Sequence, residues 1–221
     1  MEINKTLFWI GHASFYIKGD GFNIFVDPFR ISPSIKERAD FVLITHAHMD
    51  HCSKDDILRV LKPDGEVICP QGCFEKGTFK NFTLSKPGFT TKLHSAGVEA
   101  IPAYNIKKER LSFHPKENRW VGYIIDMGGF KIYHAGDTDH IEEMNGLKGI
   151  GASLLPMGGT FVMDVEEAIG AANAIKAEYS IPIHYKMLLG KEGSAKAEKR
   201  FKSGVGSALI MDEVQPAAYS F

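Results

Sequence analysis

The sequence is poor in the features that mark secreted, membrane-embedded or nucleic-acid-binding chains. Of its 221 residues only three are cysteines, Cys52, Cys69 and Cys73. Their number is odd and they form no ligand-spaced pair set, which argues against a disulfide framework. No eighteen apolar residues run together, and the N-terminal MEINKTLFWIGHASF lacks a cationic segment followed by an apolar stretch of signal-peptide length. A soluble cytoplasmic chain with no membrane span is therefore expected. An excess of charge of one sign is also missing: Lys and Arg total 26 against 27 Asp and Glu, a formal net charge of -1. That leaves no overall electrostatic footprint for nucleic acid as a partner. No low-complexity segment and no Pro/Ser/Gly-rich linker divides the chain, so one domain over residues 1–221 is the economical expectation. With 44% hydrophobic residues it has enough apolar material for one substantial core. What it does hold in number is histidine, nine in all.

The N-terminal half is dominated by short β-rich runs: LFWI (7–10), SFYI (14–17), FNIFV (22–26), FVLI (41–44) and VEAI (98–101), bounded by Gly, Pro, Asp or Asn. Several are continuously apolar, as in strands buried on both faces. Helices are expected from Ser53, with Asp55 and Asp56 in its first turn, and from Asp164, where Glu167 stands three residues on as in a capping box. A third is expected from Ser194 to Gly204. Three apolar strands run directly into polar residues: FVLI into THAHMDH, FKIY into HAGDTDH, and SIPI into HY. Sites in layered α/β proteins form where loops leave strand ends, so these three segments are expected to share one site.

His46, His48, Asp50 and His51 form H-x-H-x-D-H. Alternate residues of an extended segment face one way, and the next two side chains reach a second point. Neutral imidazole and carboxylate suit zinc and related divalent ions.

Residues Thr45 to His51 match T-H-x-H-x-D-H, and here the sequence resembles the metallo-β-lactamase superfamily. Asp27 in FVDP, Asp137 in HAGDT and His184 in IPIHY follow in that family's order, so the matches span Gly11 to Tyr185. GHASF, YHAGDT and LLPMGGTFVMDVEEA further resemble small hydrolases related to L-ascorbate-6-phosphate lactonase and the N-acyl-phosphatidylethanolamine phospholipases. The resemblance implies an α/β fold in four layers, an αββα sandwich with metals at one edge. It implies His46 and His48 on a first metal, Asp50, His51 and His184 on a second, and Asp137 bridging. Water or hydroxide between the ions would be the nucleophile, since zinc lowers the pKa of bound water from 15.7 to about 7. Asp50 would both bind metal and orient that water or accept its proton. Zinc is the first expectation, with manganese, iron and nickel open to the same donors.

One departure stands out. Relatives place a further first-metal histidine after a later strand, in a segment like IPAYN, where this chain has Asn105. His114 in FHPK is the replacement expected to bind metal or contact substrate, with a solvated loop histidine left open; His94 is a distant second. His12 and His134 adjoin strand ends and are expected to support ligands or to contact substrate, a purely structural role weighing equally. Asp27 reads as a buried carboxylate hydrogen-bonded to a ligand histidine or its loop. His140 is expected on the solvent face of a helix after Asp137.

Lys107, Lys108, Arg110, Lys116 and Arg119 crowd the segment from Asn105 to Trp120. A solvated charged face is the ordinary reading. The functional one is an anionic substrate group held beside the metals. MGGTF (157–161) leads into the helix at Asp164, where a glycine-lined helix N-terminus could receive a phosphate. Cys52 is expected to be a buried free thiol.

Together these readings favour a metal-dependent hydrolase of a small ester, lactone or phosphodiester, acting on a small-molecule substrate and open to homo-oligomer formation. The alternatives are a nuclease of the same superfamily, a non-catalytic metal-binding sensor or scaffold, and a di-iron protein.

Overall fold

The run LFWI is apolar without alternation because both of its faces are covered. In the computed structural model, which describes residues 2–75 and 77–214, Trp9 points into a central core while Ile10 joins a second apolar cluster on the opposite side. This strand, β1 (Leu7–Gly11), opens a six-stranded sheet in chain order with β2 (Ser14–Lys18), β3 (Asn23–Val26), β4 (Ala39–Leu43), β5 (Leu61–Pro70) and β6 (Asn81–Ser85). The first two pairings are antiparallel and the remaining three parallel. A second six-stranded sheet runs from β7 (Thr90–Leu93) through β8 (Ala96–Pro102), β9 (Val121–Asp126), β10 (Lys131–His134) and β11 (Ile150–Pro156) to β12 (Tyr179–Ile183). There the first three pairings are antiparallel and the last two parallel.

The sheets face each other across one core. Trp9, Phe15, Ile24 and Leu43 from the first meet Val98, Tyr123, Tyr133 and Leu154 from the second. Each fully buried aliphatic or Phe side chain contributes about 1.5–3 kcal/mol relative to exposure. A short helix, α1 (Ile3–Thr6), precedes β1, and outside the first sheet Phe25, Val42 and Val67 pack with Ile57 and Val60 of α2 (Lys54–Val60). Outside the second lie α3 (Val165–Ile175), whose Ala168 and Ala172 face the core, and α4 (Lys186–Gly204). The layers are therefore helix, sheet, sheet, helix, the αββα sandwich expected. Among the described residues no helix is long and apolar enough to cross a membrane.

Local chemistry sets the helix starts. Ser53 caps α2 by accepting the Asp56 N–H at 3.4 Å. Asp164 and Glu167 form the expected capping box on α3, each accepting the other's backbone N–H at 2.9 Å. The last helix differs from expectation: it starts at Lys186 rather than Ser194, and Gly190, at φ 63°, breaks it into two stretches. The segment KMLLGKEG carries no strong capping residue, so its first turn, begun on the Tyr185 carbonyl, is hidden in the sequence. No α-helix directly follows Asp137 either; the next element is a short 3-10 turn, Glu142–Gly146. His140 lies half-buried against Gly170 of α3, its ring nitrogen 3.3 Å from where a Cβ would stand, so the solvent-facing placement is corrected.

Candidate metal centre

Parallel strands of both sheets end at one edge, and the loops leaving them carry the donors. From β4 the chain continues through Ile44 and Thr45 to His46. The N–H groups of His51 and Cys52 then both bond to His48 O, at 3.0 and 2.7 Å, folding the segment back on itself. His12 lies in the β1–β2 turn, Asp27 after β3 and His184 after β12, all at positive φ of 52°, 46° and 55°. Non-glycine residues seldom hold that conformation, and such strain gathers where side chains are aimed for function. His184 N bonds to His12 O at 3.0 Å, which joins the two sheets at the site.

Asp27 is wholly buried and orders two of the histidines. Its Oδ1 accepts the Thr45 N–H at 2.8 Å, and its Oδ2 accepts both Thr45 Oγ1–H at 2.7 Å and His51 Nδ1–H at 2.8 Å. Because Thr45 donates its hydroxyl proton to Asp27, its oxygen is free to accept from His46 Nδ1, 2.9 Å away. Both rings are thus held with Nδ1 protonated and the Nε2 lone pair available.

Asp137 stands at the centre. Its Oδ1 is 3.4 Å from His51 Nε2, while its Oδ2 is 3.3 Å from His184 Nε2, 3.4 Å from His114 Nε2 and 3.9 Å from His46 Nε2. Asp50 Oδ2 lies 3.0 Å from His12 Nε2, 3.6 Å from His184 Nε2 and 3.8 Å from His51 Nε2. Potential ligand atoms lie within 4.8 Å of one another in three groups: His46, His48 and His114; His12, Asp50, His51 and His184; and Asp27, His46 and His51, the last joined by the hydrogen bonds just described. His12, read from the sequence as a support, therefore stands among the donors of the second group as well as against Asp50.

The segment after β8 places both Asn105 and His114 at the site. His114 is buried beside His46 and His48, with ring centroids 5.1 and 4.9 Å away. Asn105 is buried behind it, its Oδ1 accepting from His114 Nδ1 at 2.7 Å. Trp120 closes this side, 5.1 Å from the His46 ring and 4.9 Å from that of His48.

Other residues singled out from the sequence lie elsewhere. His134 donates from Nε2 to Ala13 O at 2.8 Å and accepts the Gly136 N–H, bracing the turn that carries His12. His94 is exposed and stacks on Phe22 at 5.3 Å, away from the donors. Cys52 is only half-buried, and all three thiols are free.

Most of the basic segment is the solvated face expected, with Lys108, Lys116 and Arg119 exposed and Lys107 partly so; Arg110 departs from it. Arg110 is buried, with Nη2 at 2.7 Å from both Glu167 oxygens and Nη1 bonded to the carbonyls of Gly159 and Val162. Lys107 pairs with Glu167 at 2.8 Å, and Lys116 with Glu143 at 3.7 Å. The MGGTF loop is likewise occupied, its carbonyls by Arg110 and the N-terminus of α3 by its own capping box. Gly158 serves packing: a Cβ there would meet His184 O at 2.5 Å. Nothing in the sequence separated Arg110 from its exposed neighbours, since its partners Asp139 and Glu167 are distant along the chain. Phe113 and Phe161, edge to face at 4.8 Å, also escaped notice; they line the site cavity of about 250 Å³ with His48, Asp50, His114, Asp137 and His184.

Burial lowers the pKa of His46, and it brings His12 to about 4, with His184 adding to the effect. Burial opposes the charged form of His51 too, but Asp137, Asp50 and Asp27 outweigh it and raise that ring. Burial alone would raise both carboxylates. Instead His51 and His12 hold Asp50 far below the usual carboxylate range, and His184 and His51 do the same for Asp137. Ionised carboxylates ringed by imidazoles, most with a lone pair turned inward, suit a cation. Six buried atoms of the site residues have no hydrogen-bond partner among the described residues: Nε2 of His51, His114 and His184, Nδ1 of His12 and His184, and Oδ1 of Asp137. Each such orphan costs about 1–3 kcal/mol, a penalty that an ion removes for each atom it coordinates. The donor set therefore fits divalent metal.

Known proteins agree with this geometry. A family model described as a beta-lactamase superfamily domain matches residues 6–184. A metal-dependent hydrolase of Thermoplasma volcanium is 30% identical over 228 residues, covering 96% of this chain and 98% of its own. The crystal structure of a metal-dependent hydrolase from Parabacteroides distasonis is 32% identical with TM-score 0.81, covering 95% of this chain and 93% of that one. A metallo hydrolase of Ignicoccus hospitalis is 25% identical with TM-score 0.72, covering 93% of each. Sequence, fold and donor set coincide, and the chain belongs to the beta-lactamase superfamily as a metal-dependent hydrolase.

Proposed function

We propose that the protein hydrolyses a small ester, lactone or phosphodiester at a pair of divalent ions. His46, His48 and His114 would hold the first ion, Asp50, His51 and His184 the second, with Asp137 between them. The observation that carries this reading is the convergence of unpartnered, buried donor atoms on Asp137. When bound, the ions supply Lewis acidity and bring the pKa of a coordinated water from 15.7 to about 7. Zinc heads the candidates because imidazole and carboxylate suit it, and manganese, iron and nickel accept the same donors.

The chain's own groups divide the remaining work. Asp50 is the one carboxylate of the site with substantial exposure, its side chain 34% accessible, so it faces both water and substrate. His12 donates to its Oδ2 at 3.0 Å, which fixes that oxygen and leaves the other free to take a proton from attacking water. Phe113 and Phe161 line the cavity and would limit water beside the reacting bond.

The cavity of about 250 Å³ takes only a compact reacting group. A second cavity of about 670 Å³ is lined by Ala47, which lies between His46 and His48, by Trp120, which packs on both of those rings, and by Lys86 and Arg119 beside Glu117. Neither cation has an ion pair among the described residues, so an anionic arm of the substrate belongs there rather than at Arg110.

The test is metal analysis of purified protein combined with a screen of lactones, phosphodiesters and single-stranded RNA. Tightly bound metal and zinc- or manganese-dependent cleavage of a small substrate support the reading. Less than one equivalent of metal, with no hydrolysis restored by either ion, sinks it. Cleavage of RNA alone transfers the protein to the nuclease branch.

A further inference from the structure

Behind the cavity runs a buried polar chain that touches no substrate space. Asp139 is fully buried. Its Oδ2 accepts the backbone N–H groups of Ile106 at 2.7 Å and Lys107 at 2.9 Å. Its Oδ1 accepts Asn105 Nδ2–H at 3.1 Å and lies 3.0 Å from Arg110 Nε. Arg110 is held in turn by Glu167, which closes the capping box of α3. Both oxygens of Asp139 are thus committed to receiving.

The polarity that follows runs one way. Asn105 must turn Nδ2 toward Asp139, which leaves its Oδ1 facing His114 Nδ1 at 2.7 Å. An amide oxygen only accepts, so the His114 proton resides on Nδ1 and the Nε2 lone pair points into the site, 3.4 Å from Asp137 Oδ2. We infer that Asp139 is a positioning residue: acting through Asn105, it holds His114 in the one tautomer that can ligate the first ion. The inference rests on His114 being a ligand, as proposed above.

Asp139 also fastens the loop after β8 through Ile106 and Lys107, and an isosteric change separates the two roles. In Asp139→Asn the new amide oxygen still accepts those two N–H groups, while its NH₂ now faces Asn105 and Arg110 Nε, leaving Arg110 held by Glu167 and the carbonyls of Gly159 and Val162. Two donors cannot face each other, so the Asn105 amide turns over and presents Nδ2–H to His114 Nδ1. The ring proton then moves to Nε2, and the coordinating lone pair is lost. Adding Asn105→Asp restores the direction, because a carboxylate at 105 accepts from both sides.

The experiment uses the full chain, stripped of metal and titrated with cobalt(II), with ring-nitrogen NMR of the metal-free protein. Expected are two equivalents for the unaltered protein with His114 as the Nδ1–H tautomer. Asp139→Asn should retain the fold by circular dichroism, lose about 10–100-fold in affinity for one equivalent, and show the Nε2–H tautomer. The Asn105→Asp/Asp139→Asn pair should recover both readouts. Unchanged affinity and tautomer in Asp139→Asn overturn the inference, as does failure of the pair to recover. Should Asp139→Asn not fold, Asn105→Ala, which keeps Asp139 on its loop, decides: loss of the tautomer preference and of one equivalent supports the inference, and retention of both overturns it. His114→Ala separates this from the underlying reading. If it binds two equivalents with full affinity, His114 is no ligand; if it loses one while Asp139→Asn loses none, only the positioning role fails.

Discussion

Asp27 accepts a hydrogen bond from His51 at 2.8 Å where both side chains are fully shielded from solvent. The same carboxylate oxygen takes the Thr45 hydroxyl, so one residue at the end of β3 fixes the rings of both His46 and His51.

Replacing that oxygen with a donor should uncouple the two rings from the site. Asn tolerates the positive φ of 46° at this position, so Asp27→Asn keeps the backbone. Its NH₂ opposes the His51 Nδ1–H. Affinity for both ions should fall by about 10–100-fold, with the fold retained, as read by chelator competition. Affinity within two-fold of the unaltered protein contradicts the role given to Asp27.

Asp50→Ala should abolish hydrolysis while leaving a stable protein. The side chain is 34% exposed, so its loss opens no cavity. Loss of a general base costs about 10²–10⁴-fold in rate. The comparison is kcat at saturating zinc, with bound metal measured in the same samples; full activity in the variant would sink the mechanism.

Gly158→Ala tests the close approach of the loop after β11 to His184. The added Cβ would fall 2.4 Å from Leu188 Cδ1 and 2.5 Å from His184 O, and the second neighbour is backbone. Overpacking of this kind costs about 1–3 kcal/mol, and in a chain of this size that lowers Tm by about 2–12 °C. Metal affinity should fall with it because His184 is displaced. An unchanged Tm in differential scanning calorimetry rules out the contact as described.

Glu167 should make the metal-free protein sensitive to acid. Burial alone would raise its pKa, but the Arg110 and Lys107 side chains bonded to it outweigh this and hold it below the ordinary value of 4.5. A carboxyl depressed in the folded state contributes stability that is complete above its unfolded pKa and is lost as pH falls through the folded one. Stability should therefore decline below about pH 4.5. In Glu167→Gln the protein should be less stable at neutral pH and this part of the acid decline should be absent, as followed by urea unfolding at stepped pH. Parallel pH curves for the two proteins would assign the acid sensitivity to other groups.

Much of the centre was legible because its donors are local. His46, His48, Asp50 and His51 fall within six residues, and the strand that precedes them is apolar enough to be recognised. Asp137 and His184 were legible for the same reason, each following a strand that ends in polar residues. The basic segment misled at Arg110 because charge in a sequence carries no partner: Arg110 looks like Lys108, yet one is buried on Glu167 and the other is exposed. The start of α4 was hidden because its first turn has no capping side chain and its glycines read as a loop.

By itself the sequence determined the inventory: a histidine-rich donor set, apolar strands that deliver it, and helices whose starts are written in Ser53 and Asp164. Only the tertiary structure decided how those donors are shared. It brought His114 beside His46 and His48, set Asn105 behind it, and centred Asp137 between that group and the one of His12, Asp50, His51 and His184. Local pattern specifies an element and its terminus. Which lone pair points where depends on hydrogen bonds between residues far apart in the chain, and those exist only once both sheets have closed on their common core.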